Sequence, residues 1–232
     1  SKTLDEDSSL RINLLGFIYT ASKFNSVSYE KIIKFFSQTF AAYQLSDDSI
    51  LEKKISKQLE KIKEYGMITN DNGFKPTKFG IRVFYLRIDP ETAFNMTGYV
   101  EDYVRGTKHT FGILHMITNL PEFYLQYPIP EKYQEDMDNL IDKNEKLYTQ
   151  QKFSSEDCFK SLLILYKWID ATSYQNMSEY FDAEPGDIFY IKENAKDLVY
   201  TFTEIVKFWR DYAQENEQKN TVSEYQNLID ES

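Results

Sequence analysis

The feature that most constrains this chain is one long periodic stretch, EPGDIFYIKENAKDLVYTFTEIVKFWRDY, from Glu184 to Tyr212. Pro185 suits the first turn of a helix, where its missing N–H would have no partner anyway. Asp187 adds negative charge at the positive end of the helix dipole. Apolar residues recur at Ile188, Ile191, Ala195, Leu198, Phe202, Ile205 and Trp209, in steps of three and four that draw one helical stripe. No Gly or Pro breaks the pattern after Gly186, so the spacing predicts a helix of about 40 Å. Such a helix needs other helices packed along its length. Its other side carries Tyr190, Glu193, Asn194, Asp197 and Thr201, none of which a core requires.

Composition supports a helical surround. The 232 residues fit one large domain or two ordinary ones. Eighteen Tyr and seventeen Phe stand against eight Gly and six Pro. Many long periodic runs with few turn-formers point to an all-α protein. The net charge of −10 opposes nonspecific attraction to nucleic acid, so any such contact needs a local patch. The single Cys158 excludes an intramolecular disulfide, and its helical spacing with Leu162 and Leu165 reads as a small buried hydrophobe. No apolar run reaches the roughly 18 residues of a membrane span and no signal peptide is visible. A cytoplasmic, intracellular protein without membrane contact is expected. The Asn-X-Ser/Thr matches at Asn95 and Asn176 read as chance.

Taken in order, residues 1–8 are polar and expected to be disordered. A first helix over Leu10–Ala21 buries Leu10, Leu14, Phe17 and Ile18. Ser28 can N-cap a second helix, whose apolar face is Ile32, Ile33, Phe35, Phe36 and Phe40. A third carries Leu51, Ile55, Leu59 and Ile62 and ends at Gly66, a suitable C′ residue. Met67 to Pro76 reads as two short strands around an Asn/Asp/Gly turn. Three helices and a hairpin make the winged-helix arrangement, assigned to 9–88. Thr77 can cap a fourth helix. Asp89-Pro90 redirects the chain, because a residue before Pro disfavours the helical region. Helices are expected over 91–104, 108–119, 131–148, 155–171, 174–181 and 185–213, a helical bundle assigned to 89–215. Ser154 and Asp157 resemble a capping box. Residues 216–232 turn polar, with a weak helical pattern at Tyr225, Leu228 and Ile229, and read as truncated.

Catalytic signatures are absent. His109 and His115 are six apart, not the spacing that sets two ligands on one helix face, and no second Cys completes a zinc site. There is no phosphate loop, nucleophile elbow or dinucleotide fingerprint. This chain alone is expected not to be an enzyme and to hold no cofactor. Two features suggest binding. Lys53, Lys57 and Lys61 share one face of the third helix, which in a winged helix can enter a groove. The plainer reading is a solvated face balanced by Glu52, Glu60 and Glu64. The second feature is the outer face of the long helix, with Tyr190, Lys192, Asn194 and Lys196 near its start. Such a face can stack bases and meet phosphates, or it can be an ordinary exposed face.

The segment GMITNDNGFKPTKFGIRVFYLRIDPETA resembles the winged-helix end of archaeal superfamily-two DNA repair helicases of the Ski-like class, through Gly66, Pro76, Thr77, Gly80, Leu86, Ile88, Asp89, Pro90 and Thr92. Gly112–Phe123 (GILHMITNLPEF), LILYKWIDA and EPGDIFYIKENAKDLVY are similar to later segments of that family, the last to its ratchet helix. The resemblance runs over residues 9–213. It implies a winged helix followed by a ratchet domain, an accessory C-terminal region of an ATP-dependent 3′–5′ helicase. It further implies motor domains elsewhere that hold ATP and Mg, and a single-stranded or forked DNA substrate, with a monomer expected. The same region of a Ski-like RNA helicase, or a protein-docking module without nucleic acid, are the alternatives. The family's ratchet helix presents an Arg and, seven residues later, a Trp. Alignment on Pro185-Gly186-Asp187 puts Tyr190 and Asp197 there, with Lys192 and Lys196 as compensating exposed cations.

Overall fold

The computed structural model describes residues 6–38, 48–104, 110–123, 130–143, 159–170, 173–216 and 219–231. His109, Cys158, Phe40, Pro128 and the Ser154–Asp157 pair lie outside them. The described residues are helical apart from loops and one small hairpin, as the composition predicts. The chain forms two compact units, residues 3–95 and 96–232.

In the first unit, helix α1 (Glu6–Ser22), α2 (Tyr29–Ser37) and α3 (Asp48–Glu64) precede strands β1 (Ile68–Thr69) and β2 (Lys75–Pro76) and helix α4 (Lys78–Leu86). Helix α1 starts at Glu6, ahead of the predicted end of the disordered stretch, and Ser8 is already buried. The core is Leu14, Leu15, Ile18, Val27, Ile32, Ile55, Leu59, Ile62, Met67 and Val83. Ser28 caps α2 by accepting from Lys31 N–H. Phe35 is instead 46% exposed, its ring stacked on Phe17 with centroids 4.3 Å apart.

Helix α3 ends as predicted. Gly66 has φ +71°, its N–H donates to Lys63 O at 2.9 Å, and Met67 N–H donates to Ile62 O at 3.1 Å. These paired bonds satisfy two terminal carbonyls, and the buried Ile62 and Met67 side chains flank the turn. The antiparallel hairpin sets Ile68 opposite Pro76 and Thr69 opposite Lys75. Val27 and Phe74 add a bridge through Phe74 N–H to Val27 O at 2.8 Å. Thr77 Oγ1 accepts from Gly80 N–H at 3.0 Å and donates to Gly66 O at 2.7 Å. The Gly66, Thr77 and Gly80 of the sequence motif therefore form one knot that ties α3 and the hairpin to α4.

Helix α5 (Pro90–Val104) begins at Pro90, one residue ahead of the expected 91. The residue before it has a second task. Asp89 accepts from Glu91 N–H at 3.1 Å and receives the buried Arg11 guanidinium, Nε at 2.8 Å and an Nη at 2.6 Å. Gln58 Oε1 and Glu91 Oε2 take further Arg11 donors at 3.0 and 2.7 Å.

The second unit contains α6 (Thr110–Asn119), a 3-10 turn (Glu131–Tyr133) leading into α7 (Gln134–Lys143), α8 (Phe159–Ile169), α9 (Tyr174–Phe181), α10 (Pro185–Glu215) and α11 (Lys219–Glu231). Helix α10 has 31 residues and packs against α6, α8, α9 and α11. Its predicted stripe is buried from Ile188 to Ile205 and is completed by Val206 and Ala213. Trp209 lies on the stripe but is only half-buried, and its Nε1 donates to Thr97 Oγ1 at 3.0 Å. A large ring with a polar edge rarely buries completely and needs such a partner. The weak pattern after residue 216 is a regular helix, α11, that folds back on α10 with Leu228 fully buried.

Candidate nucleic-acid interface

Helix α10 sorts its side chains by the arithmetic of 3.6 residues per turn. With Ile188, Ile191, Ala195 and Leu198 turned inward, Tyr190 and Asp197 point outward together, two turns apart. Tyr190 is 64% exposed and Asp197 is exposed. The structure thus brings these two predicted residues onto one face.

Lys192 and Asn194 fall on opposite flanks. Asn194 Nδ2 donates to the backbone carbonyl of Glu122 at 3.4 Å. Lys192, predicted to be exposed, has a side chain only 17% accessible. Its ammonium lies 5.1 Å from the ring centres of Tyr174 and Phe189, 5.8 Å from that of Trp168, and 3.2 Å from Glu193 Oε1. The aromatic faces attract the cation, and the long aliphatic stem packs on them. A hydrogen bond to Tyr174 and the pairing with Glu193 raise the Lys192 pKa, so it stays charged. Lys192 and Lys196 in turn hold the Glu193 carboxyl below the usual range. Lys196 is the more open cation, 57% exposed, and pairs with Glu193 at 3.3 Å.

The lysines of α3 belong to the other unit. Lys53 and Lys57 are exposed, whereas Lys61 is half-buried and reaches Glu91 Oε1 at 3.6 Å. Lys61 is thereby drawn toward the Arg11–Asp89–Glu91 group. Tyr65 stands in the same group, and burial together with the Glu91 charge pushes its phenol up to about 12.

Besides Tyr212, 45% exposed, two exposed aromatics of α10 escaped the sequence reading. Phe189 is 48% and Tyr200 63% exposed. The available signal was that both are large aromatics off a stripe already filled by other residues. His115 is buried, parallel to Phe111 with ring centres 6.2 Å apart. Among the described residues no group of three or more His, Cys, Asp or Glu is arranged to hold a metal ion. Among them no helix is long and apolar enough to cross a membrane.

Residues 111–224, which include all of α10, match the family described as archaeal helicase, domain 4. The chain is also similar to proteins named ATP-dependent DNA helicase Hel308. It is 33% identical to that of Pyrococcus horikoshii over 88% of this chain and 29% of the relative. With the Pyrococcus abyssi protein the identity is 31%, with the same coverage. With that of Methanocaldococcus jannaschii it is 29%, over 88% of this chain and 16% of the relative. The chain therefore spans less than a third of the length of the relatives it matches. Residues 111–224 are thus similar to the archaeal helicase domain 4, within a chain similar over 88% of its length to proteins named ATP-dependent DNA helicase Hel308.

Proposed function

We propose that this chain is an accessory region of an ATP-dependent 3′–5′ DNA helicase. A single strand, unwound from forked DNA, runs along the outer face of α10. The observation that carries this reading is Tyr190, two-thirds exposed on a 31-residue helix whose core stripe lies opposite, inside the segment that matches the helicase domain. An exposed aromatic at such a place offers a base a stacking surface. The α10 helix is held along its length by α6, α8, α9 and α11, so a load on it is passed to the whole unit. In this reading residues 3–95 are a winged helix that braces the motor, and exposed Lys53 and Lys57 meet protein or duplex phosphate. ATP and Mg belong to motor domains of a longer protein, which works as an intracellular monomer. The likeness to DNA helicases does not favour the protein-docking module.

The test is a salt titration of binding to a fluorescent single-stranded DNA, beside RNA of the same sequence. The expected result is DNA binding that weakens with salt at a slope of about −0.7 per phosphate contact. Tyr190→Ala should weaken it by about 1–3 kcal/mol with the fold intact. Preference for RNA would move the reading to an RNA helicase. No binding at low salt would sink a strand grip by this chain.

A further inference from the structure

The outer face of α10 is unlike a phosphate-binding surface. Tyr200 is as open as Tyr190, 63% against 64%. Asp197 lies between them, about two turns after Tyr190 and one turn before Tyr200, on the same side of the helix. The rise from Tyr190 to Tyr200 is about 15 Å. Among the described residues the Asp197 carboxylate makes no ion pair, and its backbone carbonyl accepts the Thr201 hydroxyl at 2.9 Å.

The cations of this helix stand elsewhere. Lys192 is turned among the rings of Trp168, Tyr174 and Phe189. Lys196 and Lys207, about three turns apart, edge one flank, each paired with a glutamate of its own helix. The centre of the face is therefore aromatic and anionic, with the positive charge along one edge.

Physical chemistry limits what such a centre accepts. A phosphate is repelled from Asp197. The flat face of a base stacks on a tyrosine without regard to sequence. A carboxylate accepts hydrogen bonds and donates none, so it discriminates among base edges. Cytosine offers its N4 amino group at the open edge of the ring, whereas the N3–H of thymine lies between O2 and O4, which the carboxylate repels.

We propose that α10, whose outer face takes the strand in the reading above, leaves the phosphates to the Lys196–Lys207 edge and selects among the bases. Tyr190 and Tyr200 are two stacking platforms, and Asp197 reads an amino group between them, favouring cytosine over thymine. This rests on the single-strand reading above and adds a second stacking platform and a base preference to it.

The experiment uses the 232-residue chain with labelled oligo-dC and oligo-dT of roughly twelve nucleotides, at low salt, read by anisotropy. The parent should bind oligo-dC about fivefold more tightly than oligo-dT. Tyr200→Ala should weaken both by about fivefold or more. Asp197→Asn should remove the dC preference while leaving dT binding as tight or tighter, with circular dichroism unchanged. Equal parental affinities would overturn the proposal, as would an Asp197→Asn ratio equal to the parent's. If Tyr190→Ala weakens binding and Tyr200→Ala does not, the strand reading stands and this inference fails. Absence of binding to either oligonucleotide ends both.

Discussion

A Cβ placed on Gly80 would lie 2.0 Å from the carbonyl oxygen of Met67. That oxygen is already fixed, because it accepts Thr77 N–H at 2.9 Å. The α4 helix can therefore approach the end of α3 only with glycine at this position. Gly80→Ala forces backbone to move, and overpacking of this kind costs about 1–3 kcal/mol. Chemical denaturation should show a lower midpoint for the variant. An unchanged midpoint would mean that the hairpin base yields freely.

The Arg11–Asp89 pair is buried on both sides, with each side chain about 5% exposed. Such a pair adds little net stability when whole, but removing one partner strands a charge. Arg11→Ala should cost about 3–5 kcal/mol. Replacing both partners with apolar residues should cost clearly less than the two single changes summed. Additive losses in that double-mutant cycle would show that the two side chains act independently.

Tyr65 gives a pH dependence with a defined sign. Its folded pKa, about 12, lies above the ordinary value of 10. The unfolded chain therefore loses this proton first as pH rises. The contribution of Tyr65 is complete below pH 10 and is lost between about 10 and 12. Over that window the parent should lose stability faster than Tyr65→Phe. Parallel curves for the two proteins would remove burial and Glu91 as causes.

The phase of α10 can be tested by one pair of variants. Phe202 is fully buried and Tyr200 is 63% exposed, only two residues away. Phe202→Ala should cost about 3–5 kcal/mol through the cavity it leaves. Tyr200→Ala should stay within about 0.5 kcal/mol. Comparable losses would show that both faces of the helix are packed.

Much of this architecture is a local matter, and local matters are legible in a sequence. The α10 stripe follows from period 3.6, and Ser28, Thr77 and Gly66 cap their helices through neighbours one turn away. The Met67–Pro76 hairpin follows from its turn residues in the same way. The helicase likeness resides in the order of local motifs and needs no long-range contact to be legible.

What the tertiary structure alone decided are the relations across long separations. Arg11 carries no signal of its own in the sequence until Asp89, seventy-eight positions later, is placed beside it. Lys192 reads as an exposed cation until α8 and α9 bring Trp168 and Tyr174 to it, which removes it from the charge that a strand would meet. Residues 219–231 show only a weak helical pattern at Tyr225, Leu228 and Ile229 until α10 supplies the surface that buries Leu228. Helical period and capping are set by the nearest four residues and were determined by the sequence itself. Whether a charge faces water, an aromatic ring or an opposite charge depends on distant elements, and only folding assigns it.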